Sequence, residues 1–127
     1  MGKVVQEVGL ANVYEPARSR RVRAVIDTGA TMLVLPSDLV AELGLRRFRD
    51  VKVRYSNNST EMRAVFGIVE LELLGRTGHF DVLAEEPGTQ PLVGQIVLEE
   101  LDLVVDPKGR CVLPNPQSPE VPLVEIL

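Results

Sequence analysis

The chain has no tryptophan, one cysteine, one histidine, and aromatic side chains at only 4% of its 127 positions. Each shortage excludes something. A lone Cys111 cannot close an internal disulfide. With His79 as the only histidine there is no zinc-ligand spacing either, so neither a metal nor another cofactor is expected. With few aromatics, the core must be built from Val, Leu and Ile. Lys and Arg (14) are outnumbered by Asp and Glu (18), and the net charge of −4 argues against a nucleic-acid surface. No apolar run approaches the length that spans a bilayer. Met1-Gly2-Lys3 lacks the apolar stretch of a signal peptide, and Gln6 breaks the myristoylation pattern. The expectation is a cytoplasmic protein with neither nucleic acid nor membrane as partner. What is present, 45% hydrophobic and 25% charged residues over a one-domain length, is the composition of a globular protein with a real core.

The chemistry concentrates in residues 22–36. The β-branched and apolar run Ala24-Val25-Ile26 delivers a carboxylate, Asp27, into Thr28-Gly29, and a second apolar run, Met32 to Leu35, follows at once. Both runs read as buried strand. An ionised carboxylate buried between them is costly unless it is paired, hydrogen-bonded or protonated. Thr28 supplies a hydroxyl, and Gly29 lets a backbone N–H come close to the acid. The plainer alternative is an Asx-type turn in which Asp27 caps its own backbone. An ordinary surface turn, however, needs no core on both sides.

Ile26-Asp27-Thr28-Gly29-Ala30-Thr31 resembles the active-site loop of the retropepsin-type aspartic proteases, the family of retroviral proteases and their cellular and bacterial relatives. That family has a second element downstream, two apolar residues and a glycine ahead of a short helix. Pro91-Leu92-Val93-Gly94-Gln95 followed by Ile96 to Leu101 fits it. The resemblance spans roughly Ala24 to Leu113. It implies an all-β, closed acid-protease barrel with one lobe per chain and one or two short helices. It also implies an aspartic-type endopeptidase acting as a homodimer on a peptide or protein substrate. Asp27 would be the catalytic residue and Thr28, Gly29 and Ala30 the support of its loop. In the family the Leu92-Val93-Gly94 run packs beside the Asp loop and lines a substrate pocket, and Gly94 also reads as a close-approach residue under the site.

The rest of the chain fits one domain, with a core over about 4–113 and a Pro-rich linker and apolar tail over 114–127. Val4 to Val13 reads as a strand. Four arginines, Arg18, Arg20, Arg21 and Arg23, read as a solvated hairpin end. Ser37 is a good N-cap for a packing helix that Gly44 stops. Phe48 to Phe66 reads as a hairpin whose turn is Ser56-Asn57-Asn58-Ser59-Thr60. In the family this hairpin is the flap that folds over the substrate, which assigns Ser56, Asn57, Asn58 and Ser59 to substrate binding. Viral flaps are glycine-rich at the tip, whereas here no glycine lies between Gly44 and Gly67. Asn tolerates positive φ and can take that place. Gly67 is expected to begin a further pair of strands turning at Gly75-Arg76-Thr77-Gly78. His79 reads as a surface residue, and Leu103–Asp106 with Cys111–Leu113 reads as a last hairpin. In viral relatives the chain ends interleave between subunits. The same arrangement is expected for Val121–Leu127 or for residues 4–8; the alternative is a tail that covers its own subunit's edge.

Attack of water on an amide needs one carboxylate to take a proton and a second carboxyl to keep its own. Two carboxyls close together share one proton, because ionising both is costly. One Asp-Thr-Gly supplies half of that pair, and a two-fold dimer supplies the other. Two other readings compete: a catalytically idle dimerisation or peptide-binding domain on the same fold, and a small β-barrel binding module in which Asp27 is a capped turn.

Overall fold

The computed structural model describes residues 3–126. The readings of Met1-Gly2, and of Leu127 in the tail, lie outside the described residues. In chain order the elements are β1 (Val4–Asn12), β2 (Ser19–Ile26), β3 (Leu33–Pro36), α1 (Ser37–Glu42), β4 (Arg46–Arg54) and β5 (Thr60–Leu73). They continue with β6 (Arg76–Glu85), β7 (Leu92–Val93), α2 (Gln95–Leu101), β8 (Leu103–Asp106) and β9 (Cys111–Pro114).

The first seven strands form one sheet in the order β1-β2-β7-β3-β6-β5-β4, and an added β1–β5 pairing closes it into a ring. β5 allows this by changing partners along its length. Its first part pairs with β4, and Val69 to Glu72 pair with β1 from Asn12 to Gly9. The core fills the ring. Val69, Leu71 and Leu73 are fully buried on one face of β5, while Glu70 points to solvent, as period-two alternation requires. Val8, Leu10, Leu33, Leu35, Val82 and Val93 meet them from the other strands. Phe80 is the one aromatic among the buried side chains, so the interior is aliphatic as the composition demands. Each such Leu or Val contributes about 1.5–3 kcal/mol when fully buried.

Two buried polar side chains tie the irregular pieces to this ring. Asn12 donates to the carbonyls of Leu43 (2.9 Å) and Gly44 (3.1 Å) at the end of α1. Its side-chain oxygen accepts from the N–H groups of Tyr14 and Glu15. Arg76 donates to the carbonyls of Leu101 and Asp102 (both 2.9 Å) at the end of α2, and to that of Ser118 in the tail. Of the four arginines at the β1–β2 end, Arg18, Arg20 and Arg21 form exposed ion pairs with Glu15, Glu42, and Glu7 and Glu72. Exposed pairs of this kind contribute about 0–1 kcal/mol each.

Three local expectations need correction. Ser37 does not cap α1. Pro36 holds the N-cap position with no side-chain cap, because it is still paired to Glu85 in extended backbone and the strand runs straight into the helix. The β5–β6 turn is Leu74-Gly75, not 75–78. Both turn residues have positive φ (54° and 81°), as a tight hairpin needs, and this puts Arg76 in the strand and indoors. Gly67 does not begin a new strand either, for β5 runs through it with a register shift between Phe66 and Val69.

After β9 the chain has no regular structure but is anchored. Asp102, in the left-handed conformation that ends α2 (φ 55°), accepts hydrogen bonds from the Ser118 hydroxyl, the Asn115 amide (3.0 Å) and the Leu123 N–H (3.0 Å). Val121, within the span of this clasp, and Val124 and Ile126, beyond it, are exposed. The Ser118 hydroxyl first, then the Leu123 N–H and Asn115, hold the Asp102 carboxyl down at about 2, below its ordinary 3.8. A depressed acid stabilises the fold above its unfolded pKa and loses that contribution as pH falls through the folded one. Segment 115–123 is therefore expected to come loose between about pH 4 and about pH 2, read by its amide signals in an NMR titration, and Asp102→Asn should abolish that transition.

Candidate active site

β7 is only two residues long, yet it lies between β2 and β3, parallel to the first (Ile26↔Val93) and antiparallel to the second (Val34↔Leu92). The residues after β2 are thereby bound to the residues after β7. Asp27 donates its backbone N–H to the Val93 carbonyl (2.9 Å). In return Gln95 and Ile96 donate theirs to the carbonyls of Ala30 (2.7 Å) and Thr31 (2.9 Å). Gly94 sits at the crossing. A Cβ there would lie 2.4 Å from the Met32 carbonyl oxygen and 2.8 Å from that of Ala30, so only glycine lets the two backbones touch.

The loop so fixed presents Asp27 to solvent. Its flanks Ala24, Ile26, Leu33 and Leu35 are buried, but the carboxylate itself is exposed, contrary to a carboxylate buried between apolar runs. Oδ1 accepts the Gly29 N–H at 2.9 Å. Ala30 has no hydroxyl to add. Thr28 is exposed on the other side of the loop, in a hollow of about 530 Å³ shared with Val4, Gln95, Val104 and Val105.

Asp27 opens onto a groove of about 1080 Å³. Met32, Val34, Leu83 and Leu92 line its apolar side, and Val51, Val53 and the β4–β5 turn face them. The turn is built by hydrogen bonds from the Tyr55 N–H to the Ser59 carbonyl and from the Asn58 N–H to the Tyr55 carbonyl (both 2.9 Å). Asn57 Oδ1 accepts from the Ser59 N–H (3.0 Å) and hydroxyl (2.6 Å). Asn58 has φ 67°, so an asparagine does hold the position where glycine is usual. Of the residues expected to meet a substrate, Ser56, Asn57, Ser59 and Leu92 line the groove. Val93 and Gly94 are buried beneath it, and Asn58 is not part of its lining. His79 is exposed beside Glu70, outside the groove.

Among the groove residues that the sequence reading did not assign, three are polar and bonded to one another: Tyr55, Arg63 and Glu85. Burial and then the Glu85 carboxylate push the Tyr55 phenol up, and the bond to Tyr55 raises Arg63. Period-two alternation held the signal for two of them. Tyr55 shares a face with Val51 and Val53, and Arg63 is paired with Val51.

A sequence model described as aspartyl protease matches residues 17–112, well over half of the chain. The chain belongs to the aspartyl protease family. The matched span takes in the Asp27 loop, the β4–β5 hairpin and the Gly94 crossing of this family member. Among solved structures it is similar to the EIAV protease complexed with the inhibitor HBY-793, with a TM-score of 0.58. The match covers 78% of this chain and 88% of that one at 16% identity. That likeness is one of fold, and the ring described above is a one-lobe retropepsin-like barrel. No curated protein matches the chain at a significant level.

Gly94→Ala drives a methyl into two carbonyls that belong to the Asp27 loop. It is expected to cost about 1–3 kcal/mol in thermal unfolding, as overpacking does. Gly9→Ala, whose methyl meets side-chain atoms of Arg21 and Glu72, is expected to cost less in the same measurement.

Proposed function

We propose that the chain is an aspartic endopeptidase that acts as a homodimer. It hydrolyses peptide bonds with a water held between Asp27 and the Asp27 of a second copy. The observation that carries this reading is a single Asp-Thr-Gly carboxylate, exposed at the edge of a hairpin-walled groove and steadied by one backbone N–H. One carboxylate alone cannot both take a proton from water and protonate the carbonyl oxygen. Two facing across a two-fold axis share one proton and do both. The ionised member takes the water proton as oxygen attacks the carbonyl carbon, and the protonated member donates to the carbonyl oxygen. The proton taken from water then passes to the leaving amine as the C–N bond breaks, and a hydroxyl of the tetrahedral intermediate returns its proton to the other carboxylate, which leaves the pair singly protonated again.

In this reading Thr28 hydrogen-bonds across the interface, and the Gly29 amide steadies the carboxylate. The hollow beside Thr28, with Val4, Val104 and Val105, supports a subunit contact on that side of the loop. The exposed apolar tail around Val121 and Val124 supports an added contact from the chain end. Ser56, Asn57, Asn58 and Ser59 close over the peptide from the flap, while Leu92 touches it and Val93 and Gly94 support the floor. The aliphatic groove favours apolar side chains on either side of the cut. A reducing, cytoplasmic setting suits the one free thiol, Cys111.

Cleavage of a diverse peptide mixture, read by mass spectrometry between about pH 3 and about pH 8, tests the assignment. Wild type is expected to cut and Asp27→Asn to make none of those cuts. A folded wild-type dimer that cuts nothing would favour the idle peptide-binding domain instead.

Pepsins usually carry Ser where this chain has Ala30, and that hydroxyl would stabilise the ionised acid. Without it the pH optimum of cleavage is expected to be less acidic than pepsin's. An optimum below about pH 3 contradicts this.

A further inference from the structure

β5 stays paired with β6 only as far as Val65↔Leu83. Beyond that point β6 keeps only β3, its partner on the other edge from Val82 onward, with Ala84 and Glu85 opposite Leu35 and Pro36, while Thr60 to Ala64 of β5 keep β4 as their partner. The flap hairpin therefore leaves the barrel as a two-stranded arm, and such an arm is marginally stable by itself. One residue bridges the fork. The Glu85 carboxylate accepts the Tyr55 hydroxyl on Oε2 and Arg63 Nε on Oε1 (3.0 Å), and the same Nε lies 3.0 Å from the Tyr55 oxygen. Tyr55 follows β4 and Arg63 belongs to β5, so both sides of the arm are held. Glu86 adds a longer contact to Arg63 at 3.9 Å, and Glu61 pairs with Arg63 within the arm. Arg47 with Asp50 and Arg49 with Asp81 form ion pairs at the root of the arm. Among the described residues, the side-chain hydrogen bonds and ion pairs that join its outer part, residues 51–64, to the barrel are those to Glu85 and Glu86.

This is not an ordinary surface pair. The side chains of Arg63 and Glu85 are 21% and 13% exposed, against 59% and 44% for Arg47 and Asp50 at the base of the same hairpin. Sheltered, charge-assisted hydrogen bonds hold geometry better than solvated ones. All three side chains face the groove that contains Asp27.

We propose that Tyr55, Arg63 and Glu85 are positioning residues that latch the flap arm to the end of β6, holding it across the groove before a peptide arrives. The proposal rests on the reading of the groove as a peptide site. A latched arm keeps most molecules competent to bind. An unlatched one binds with an apparent affinity reduced by the competent fraction, which affects ground state and transition state alike.

The test pairs hydrogen exchange with kinetics on Glu85→Ala and on Tyr55→Phe, a milder change that keeps the fold. Exchange of amides in residues 50–64 is expected to quicken about tenfold or more in Glu85→Ala and less in Tyr55→Phe, with β1 and β2 unchanged. KM on a cleaved peptide should rise about tenfold with kcat within about twofold. Unchanged exchange in 50–64, an equal rise in β1 and β2, or a fall in kcat at constant KM overturns the latch. If wild type cuts no peptide, the exchange result still decides the latch, and the failure belongs to the peptidase reading.

Discussion

The contact between Gly94 and the backbone of residues 30–32 is the constraint on which the rest of the structure depends. It lets β7, a strand of two residues, enter between β2 and β3 and take the Asp27 N–H on Val93. Without a side chain at Gly94 the loop after β2 and the start of α2 share their backbone hydrogen bonds. The loop needs no core of its own. That explains how an exposed carboxylate can sit on a rigid base: its neighbours in sequence are buried strand, and its neighbours in space are N–H and carbonyl groups already paired. A site built this way is ordered by the scaffold before any ligand arrives, as precise catalysis requires.

Around that base the polar side chains divide into those that assemble the barrel and those that shape the groove. Asn12 and Arg76 are buried and spend their hydrogen bonds on carbonyls at the ends of α1 and α2, where helices leave acceptors unpaired. Asp102 extends this to the tail. The Tyr55, Arg63 and Glu85 group instead stands in the groove wall, where a purely apolar surface would have served packing equally well. The exposed ion pairs elsewhere, such as Arg20 with Glu42, contribute little to stability.

What the sequence disclosed follows the same division. Asp27-Thr28-Gly29 and Leu92-Val93-Gly94 were legible because their chemistry is in the backbone and in contiguous residues. The strand after Gly67 was legible because burial on one face gives Val69, Leu71 and Leu73 a period of two, although its continuity with the residues before Gly67 was not. Arg76 was missed because Gly75 and Gly78 both signal a turn, and only the positive φ of Leu74 and Gly75 decides between them. Ser37 was misplaced because a strand pairing of Pro36 overrode local cap preference. Glu85 was missed because its partners lie 22 and 30 residues earlier, and no local pattern announces a contact made by folding.

The central claim is that the reacting unit holds two copies of Asp27, one from each chain. Co-refolding wild-type chain with Asp27→Asn chain tests it most directly. At equal amounts, random pairing leaves about half of the wild-type chains in wild-type dimers, so peptide cleavage per wild-type chain should fall to about half, and further as the variant is added in excess. Cleavage per wild-type chain that stays constant at every ratio would mean that one carboxylate suffices, and would contradict the account.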